Sequence, residues 1–179
     1  MGRGGPGERA SSRHRQRARV KVVSALALLI ATPAGARDTL GVFGGWGAFR
    51  DAVPRRCFAI ARPVVAGGQA RWRPFASVAT WPDRGLVASV HIRLSRERDR
   101  SAGVGLSVGE RRFALVANGV DAWAADLASD RAIVAAMRGG RSMSVEAVGV
   151  GGHPFADSYP LTGAPTAIDA ATLACRKGS

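Results

Sequence analysis

The stretch Phe113–Ala124, FALVANGVDAWA, decides the reading of this chain. Phe113–Ala117 and Val120–Ala124 are two short apolar runs, and Asn118-Gly119 between them is a strong short-range signal for a β-hairpin. Upstream, Ala102–Val108 and Arg112–Ala117 flank Gly109-Glu110, which predicts a two-residue turn with glycine first. Further out, Ala76–Trp81 and Leu86–Leu94 are split by Pro82-Asp83-Arg84-Gly85, a turn tetrapeptide. Within the second run, Val90–Leu94 alternates apolar and polar residues, the period of a strand with one wet face. Cys57–Ala61 is another short strand, closed by Arg62-Pro63. Ser142–Val150 and His153–Leu161 form a last predicted hairpin around Gly151-Gly152.

Two segments break the pattern. Ser129 can cap a helix over Asp130–Arg138, with Asp130 and Arg138 suited to its two ends and Gly139 to a left-handed exit. Ile133, Val134 and Met137 share its buried face. Pro165 suits the first turn of a helix over Pro165–Ala174, where Ile168, Ala171 and Cys175 recur at helical spacing. The expected fold is therefore mainly β: a single antiparallel, β-sandwich-like domain with one or two short helices.

The N-terminus is of another kind. Val20–Ala36, VKVVSALALLIATPAGA, runs from a basic residue through an apolar stretch to Ala34-Gly35-Ala36, the order of a secretory signal peptide cleaved after Ala36. The apolar run of about ten residues falls short of the roughly 20 that a membrane-spanning helix needs. No Arg-Arg pair precedes it and no cysteine follows the site, which favours the general secretory route without a lipid anchor. Residues 1–19 are rich in arginine and glycine; they read either as a long basic leader or as sequence ahead of a true start at Val20. The expected organisation is thus a basic leader and signal peptide over 1–36, and one β-rich domain over 37–179. No transmembrane anchor is expected after cleavage.

The whole chain of 179 residues carries a net charge of +13. Seven of the 26 Lys and Arg and one of the 13 Asp and Glu lie before Arg37, so the remaining 143 residues carry +7. Nucleic-acid binding is not expected: Arg96-Glu97-Arg98-Asp99-Arg100 alternates in sign, as a solvated turn does. Weak attraction to an anionic envelope surface fits better. The thiols, Cys57 and Cys175, lie 118 positions apart. In an oxidising compartment such a pair is expected as a disulfide. A metal site would need ligands at regular spacing, which His91 and His153 do not supply.

Gly105-Leu106-Ser107-Val108-Gly109 matches the G-x-S-x-G elbow of serine hydrolases, and His153 follows in the chain. The elbow needs a helix directly after it, whereas Arg112–Ala117 reads as a strand, so a glycine-bearing hairpin is the favoured reading. A small hydrolase using Ser107 and His153 is the alternative. His91 and His153 read as surface histidines, and the carboxylates form no acid–base pair. Of the four tryptophans, Trp46, Trp72, Trp81 and Trp123, most are expected in the core. Arg71-Trp72-Arg73 is the expected exposed interaction surface.

From Phe113 to Cys175 the residues resemble the invasion-associated locus B family of exported bacterial proteins. The matching features are Phe113/Leu115, Ala122-Trp123, Ala135–Gly140, Val145 and Val148, Asp157–Gly163 and Cys175. Upstream, Gly45-Trp46 and Cys57-Phe58-Ala59 also fit. The resemblance is strongest over the last sixty residues and weak between Val64 and Gly109. It implies a periplasmic or secreted β-rich domain with no recognised catalytic site and no cofactor. The family takes its name from a role in host-cell invasion. Members often carry a further thiol between the Gly-Trp and Cys-Phe positions, and Trp46–Arg56 has none. On this reading the chain is an exported, non-enzymatic interaction protein of the envelope. Its partner would be an envelope or host protein, or a surface polymer. Trp123 and Tyr159 are expected as core residues.

Overall fold

A computed structural model of the chain describes residues 1–2, 37–64, 66 and 72–176. The predicted signal segment, Arg71 and the last three residues lie outside that set. The chain divides into units over residues 1–32 and 33–179, and all the described strands and helices belong to the second. Ten strands run β1 Arg37–Phe43, β2 Trp46–Asp51, β3 Arg56–Ala61, β4 Phe75–Trp81, β5 Leu86–Arg93, β6 Val104–Val108, β7 Arg111–Asn118, β8 Asp121–Ala124, β9 Ser142–Val148 and β10 Pro154–Pro160. Helix α1 spans Leu127–Gly139 and α2 spans Ala164–Arg176. All strand pairs are antiparallel, in one sheet ordered β1-β2-β3-β4-β5-β8-β7-β6-β9-β10. The expected mainly-β class with two short helices is what is found.

The sheet curls on itself. Trp46 on β2 is fully buried and its indole N–H donates to the carbonyl of Pro160 on β10, 2.9 Å away. These strands stand at opposite ends of the sheet order, so one core fills the space between the sheet's two ends. Trp46, Ile92, Leu106, Val145 and Tyr159 meet there. They share it with Ile133 and Met137 of α1 and Ile168 of α2. The closure is tight at one point: a Cβ added to Gly163 (φ +83°) would lie 2.0 Å from the carbonyl oxygen of Phe43. Only glycine allows both that backbone conformation and that approach.

Several local expectations shift. The tight turn of the β7–β8 hairpin is Gly119-Val120, one residue later than Asn118-Gly119, because Asn118 pairs with Asp121 and Gly119 alone takes positive φ. Gly109-Glu110 forms the turn expected of it. Helix α1 starts earlier: Asp126, not Ser129, is the N-cap, its carboxylate accepting the Ser129 N–H at 2.7 Å. Its exit is not left-handed, since Gly140 caps it in an extended conformation. Strands β1 and β2, joined by Gly44-Gly45, were not expected. Arg98 is no solvated turn residue: its guanidinium donates to the carbonyls of Asp99, Arg100, Ala102 and Ala117, tying the loop before β6 to β7.

Buried acids fix two further joints. Asp157 on β10 accepts the N–H and hydroxyl of Ser95. Asp130 on α1 accepts the Val90 N–H at 2.7 Å, beside an irregularity in β5 where Ala88 adopts φ +55°. The Ala88 N–H is met by the Thr80 hydroxyl at 3.3 Å. Burial pushes the Asp130 carboxyl above its ordinary range, partly offset by hydrogen bonds from Val90 and Ser89. Cys57 on β3 and Cys175 on α2 form a disulfide, both buried, with Ala171 beside them. Among the described residues no helix is long and apolar enough to cross a membrane.

Candidate functional site

Alternation along β3, β4, β5 and β8 sends one set of side chains to the core and the other to the outer face. On β3 the inward set is Cys57, Ala59 and Ala61; Arg56, Phe58 and Ile60 face outward into a groove of about 470 Å³. Phe75, Ser77, Ala79 and Trp81 of β4 continue the floor, with Ser89, His91 and Arg93 of β5 and Trp123 of β8. This is the most chemically distinctive surface of the domain, because its charged groups lie on its rings.

Four arginines are placed this way. The Arg56 guanidinium sits 4.5 Å from the Phe58 ring centre and 5.1 Å from that of Trp81. Arg84, on the 3₁₀ turn between β4 and β5, lies 4.8 Å from the same indole. Arg37 stands over Phe58 at 5.2 Å and Arg93 over Phe75 at 5.4 Å. Each such contact is worth about 0.5–1 kcal/mol at an exposed site. Their collective effect is positional: each ring helps to fix where its arginine's charge sits along the groove.

Two carboxylates complete the ordering. Asp51 accepts from Arg37 and Arg56, each at 2.8 Å. The hydrogen bond from Arg37 is the largest influence holding the Asp51 carboxyl below its usual range, against some desolvation. At the far end Asp121 accepts from Arg93 at 2.9 Å and from His91 at 2.8 Å. Burial opposes ionisation of Asp121, but hydrogen bonds from Arg93 and His91 outweigh it and keep the carboxyl low. His91 also stacks on Trp123, with centroids 5.1 Å apart, and meets Phe75 edge-on. The register explains these meetings: Ser77, His91 and Trp123 are direct neighbours across β4, β5 and β8, as are Phe75, Arg93 and Asp121 one row on.

The residues singled out from sequence distribute unevenly. Trp72 is half-buried and its indole N–H donates to the Leu94 carbonyl at 2.7 Å; it lines a separate hollow beside Arg98 and Val150. Arg73 is exposed, and Arg71 lies outside the described residues. Trp123, expected in the core, is on the outer face, as is Trp81; Trp46 and Tyr159 are the buried ones. Ser107 is buried on β6, and its hydroxyl faces Glu146 at 3.2 Å. Ser107 pairs with Ser144 and Ser144 with Ser158, five positions along the chain from His153. At ~3.3 Å per residue that is about 16 Å, so Ser107 and His153 are not brought together. Among the described residues no three His, Cys, Asp or Glu side chains cluster as metal ligands would.

Sequence reading missed the groove because its members come from five strands, β1, β3, β4, β5 and β8, and a turn. The available signal was the pairing of Arg56 with Phe58, Trp81 with Arg84, and His91 with Arg93, each an outward-facing pair on or beside a strand. No family model, no curated protein and no solved structure matches this chain.

Proposed function

We propose that this chain is an exported, non-enzymatic interaction protein of the bacterial envelope, acting by presenting the outer face of β3, β4, β5 and β8 to a partner. The observation that carries this reading is the set of four arginines laid on aromatic rings along one exposed groove. Such an arrangement confers little on folding, since exposed charge pairs contribute about 0–1 kcal/mol. It does prepare a surface for recognition, because arginine and aromatic residues dominate binding hot spots.

Three further features support the reading. The segment Val20–Ala36 has the order of an export signal. The disulfide suits an oxidising compartment, and it fastens α2 behind the strand that carries Arg56 and Phe58. The pattern from Phe113 to Cys175 resembles the invasion-associated locus B family, whose members are periplasmic or secreted. The partner is then an envelope or host protein, or a surface polymer.

The test compares the exported chain with two groove variants, Trp81→Ala and Arg84→Gln, in the producing bacterium. The expected result is a chain shortened by its leader, retained by isolated envelopes, with retention lost in both variants. An unprocessed chain in the cytosol, or variants retained as well as the original, overturns the reading.

A further inference from the structure

The groove has a definite chemistry at each end and a mixed floor. Arg37, Asp51 and Arg56 lie in register across β1, β2 and β3, and the row continues through Trp81 to Arg84. The other end holds Phe75, Arg93 and Asp121 in one row. Along β4, Trp81 and Phe75 are six residues apart, so the two rows stand about 20 Å from each other. Among the described residues these four arginines have two carboxylate partners between them, Asp51 and Asp121, which leaves positive charge in excess. Among the described residues Arg84 has no carboxylate partner, and Arg56 gives only its Nε–H to Asp51. Both guanidiniums therefore keep N–H groups for an incoming anion beside Trp81.

The floor sets the class of ligand. It is the face of a sheet, not an edge, so its backbone N–H and C=O groups are already consumed in the ladders. A peptide lying there would find no backbone partners for its own amides, which carry a cost when desolvated unpaired. A saccharide chain has no such requirement. Its C–H faces suit the part-exposed apolar surface of Ile60, Trp81 and Trp123. Its hydroxyls suit the imidazole of His91. The anion that fits is the carboxylate, because Arg37 and Arg93 already pair side-on with carboxylates at this face through two nitrogens each.

We propose that the groove between the Arg37–Arg56–Arg84 row and Arg93 is a binding site for a linear acidic saccharide bearing carboxylates, several sugar rings long. This inference rests on the reading of the chain as an interaction protein and names the partner's chemistry. Its test titrates the purified, disulfide-intact chain with tetragalacturonate and with its methyl ester, following heat or tryptophan fluorescence. The expected result is saturable binding of the acid form, at least tenfold weaker for the ester. Arg84→Gln and Trp81→Ala should each weaken binding about tenfold. Arg131→Gln, on the exposed side of α1, removes the same charge elsewhere and should leave binding unchanged. Circular dichroism establishes that each variant is folded.

Equal binding of acid and ester, or equal loss in Arg131→Gln and Arg84→Gln, overturns the proposal. So does binding of an acidic peptide or of phosphatidylglycerol vesicles with none of the tetramer, although the interaction reading then survives. Tetramer binding by a chain that is never exported would separate them the other way.

Discussion

Removing the disulfide with the double substitution Cys57→Ala/Cys175→Ala is the most informative perturbation of this fold. The bond closes a loop of 118 positions. Chain-entropy reasoning assigns such a loop about 5 kcal/mol at 25 °C, through the freedom returned to the unfolded chain. Loss of two buried sulfurs packed against Ala171 adds roughly 1 kcal/mol. Urea denaturation of the purified chain should therefore lose about 5–6 kcal/mol, with a steeper m value because the unlinked chain unfolds to a more open state. Thermal midpoints should fall by roughly 15–25 °C for a domain of this size. The effect is also local: Cys175 lies at the end of α2, whose inner face packs on β1, β2 and β3. Amide exchange in Ala164–Arg176 should accelerate before exchange in β3 and β4 does. A loss below about 1 kcal/mol, or unchanged exchange in α2, would refute the reasoning that the bond anchors this helix.

Three further outcomes follow from buried groups and tight backbone. Tyr159 is fully buried and its hydroxyl has no hydrogen-bond partner among the described residues, so Tyr159→Phe should stabilise, or shift unfolding by less than ~1 kcal/mol; a larger loss in urea denaturation would contradict the packing described. Gly163→Ala should cost about 3 kcal/mol or more, since it adds a clash with Phe43 to an unfavourable φ. Gly85→Ala, with a similar φ but open space, should cost about 1–2 kcal/mol; equal costs would mean that the closure between β1 and α2 is loose. Asp130 has its carboxyl pushed up by burial, so the folded state holds that proton more tightly than the unfolded chain does. The associated stability is complete below about pH 4 and is lost as pH rises through the folded-state value. The advantage of Asp130→Asn over the original chain should accordingly grow with pH, and a difference that is flat from pH 3 to 7 would contradict it.

Much of the sheet was legible because strand periodicity and turn chemistry are local. The runs from Cys57 to Leu161 needed only alternation, glycine and proline to be placed, and their ends moved by a residue or two. Strands β1 and β2 escaped notice because Arg37–Asp51 mixes glycines and charges with few β-branched residues, and its pairing is rewarded only when Trp46 reaches β10. The start of α1 was misplaced because Asp126 and Ser129 are both good caps, and only the position of the preceding strand chooses between them. The fold's cysteine pair was legible from the number of thiols taken with the expectation of export. The groove could not, since it depends on register: nothing in the sequence says that His91 will face Trp123 or that Arg56 will share an indole with Arg84. Trp123 illustrates the limit, because an apolar ring in a short strand has the same local pattern whether it points inward or outward.

The most direct test of the proposed role is hydroxyl-radical footprinting of the disulfide-intact chain, free and then mixed with isolated bacterial envelopes. Recognition through the outer sheet face predicts protection of Trp81, Trp123, Phe75 and His91 on binding, with Trp72 and Val150 unchanged. Protection at Trp72 and Val150, with Trp81 and Trp123 as reactive as in the free chain, would contradict it.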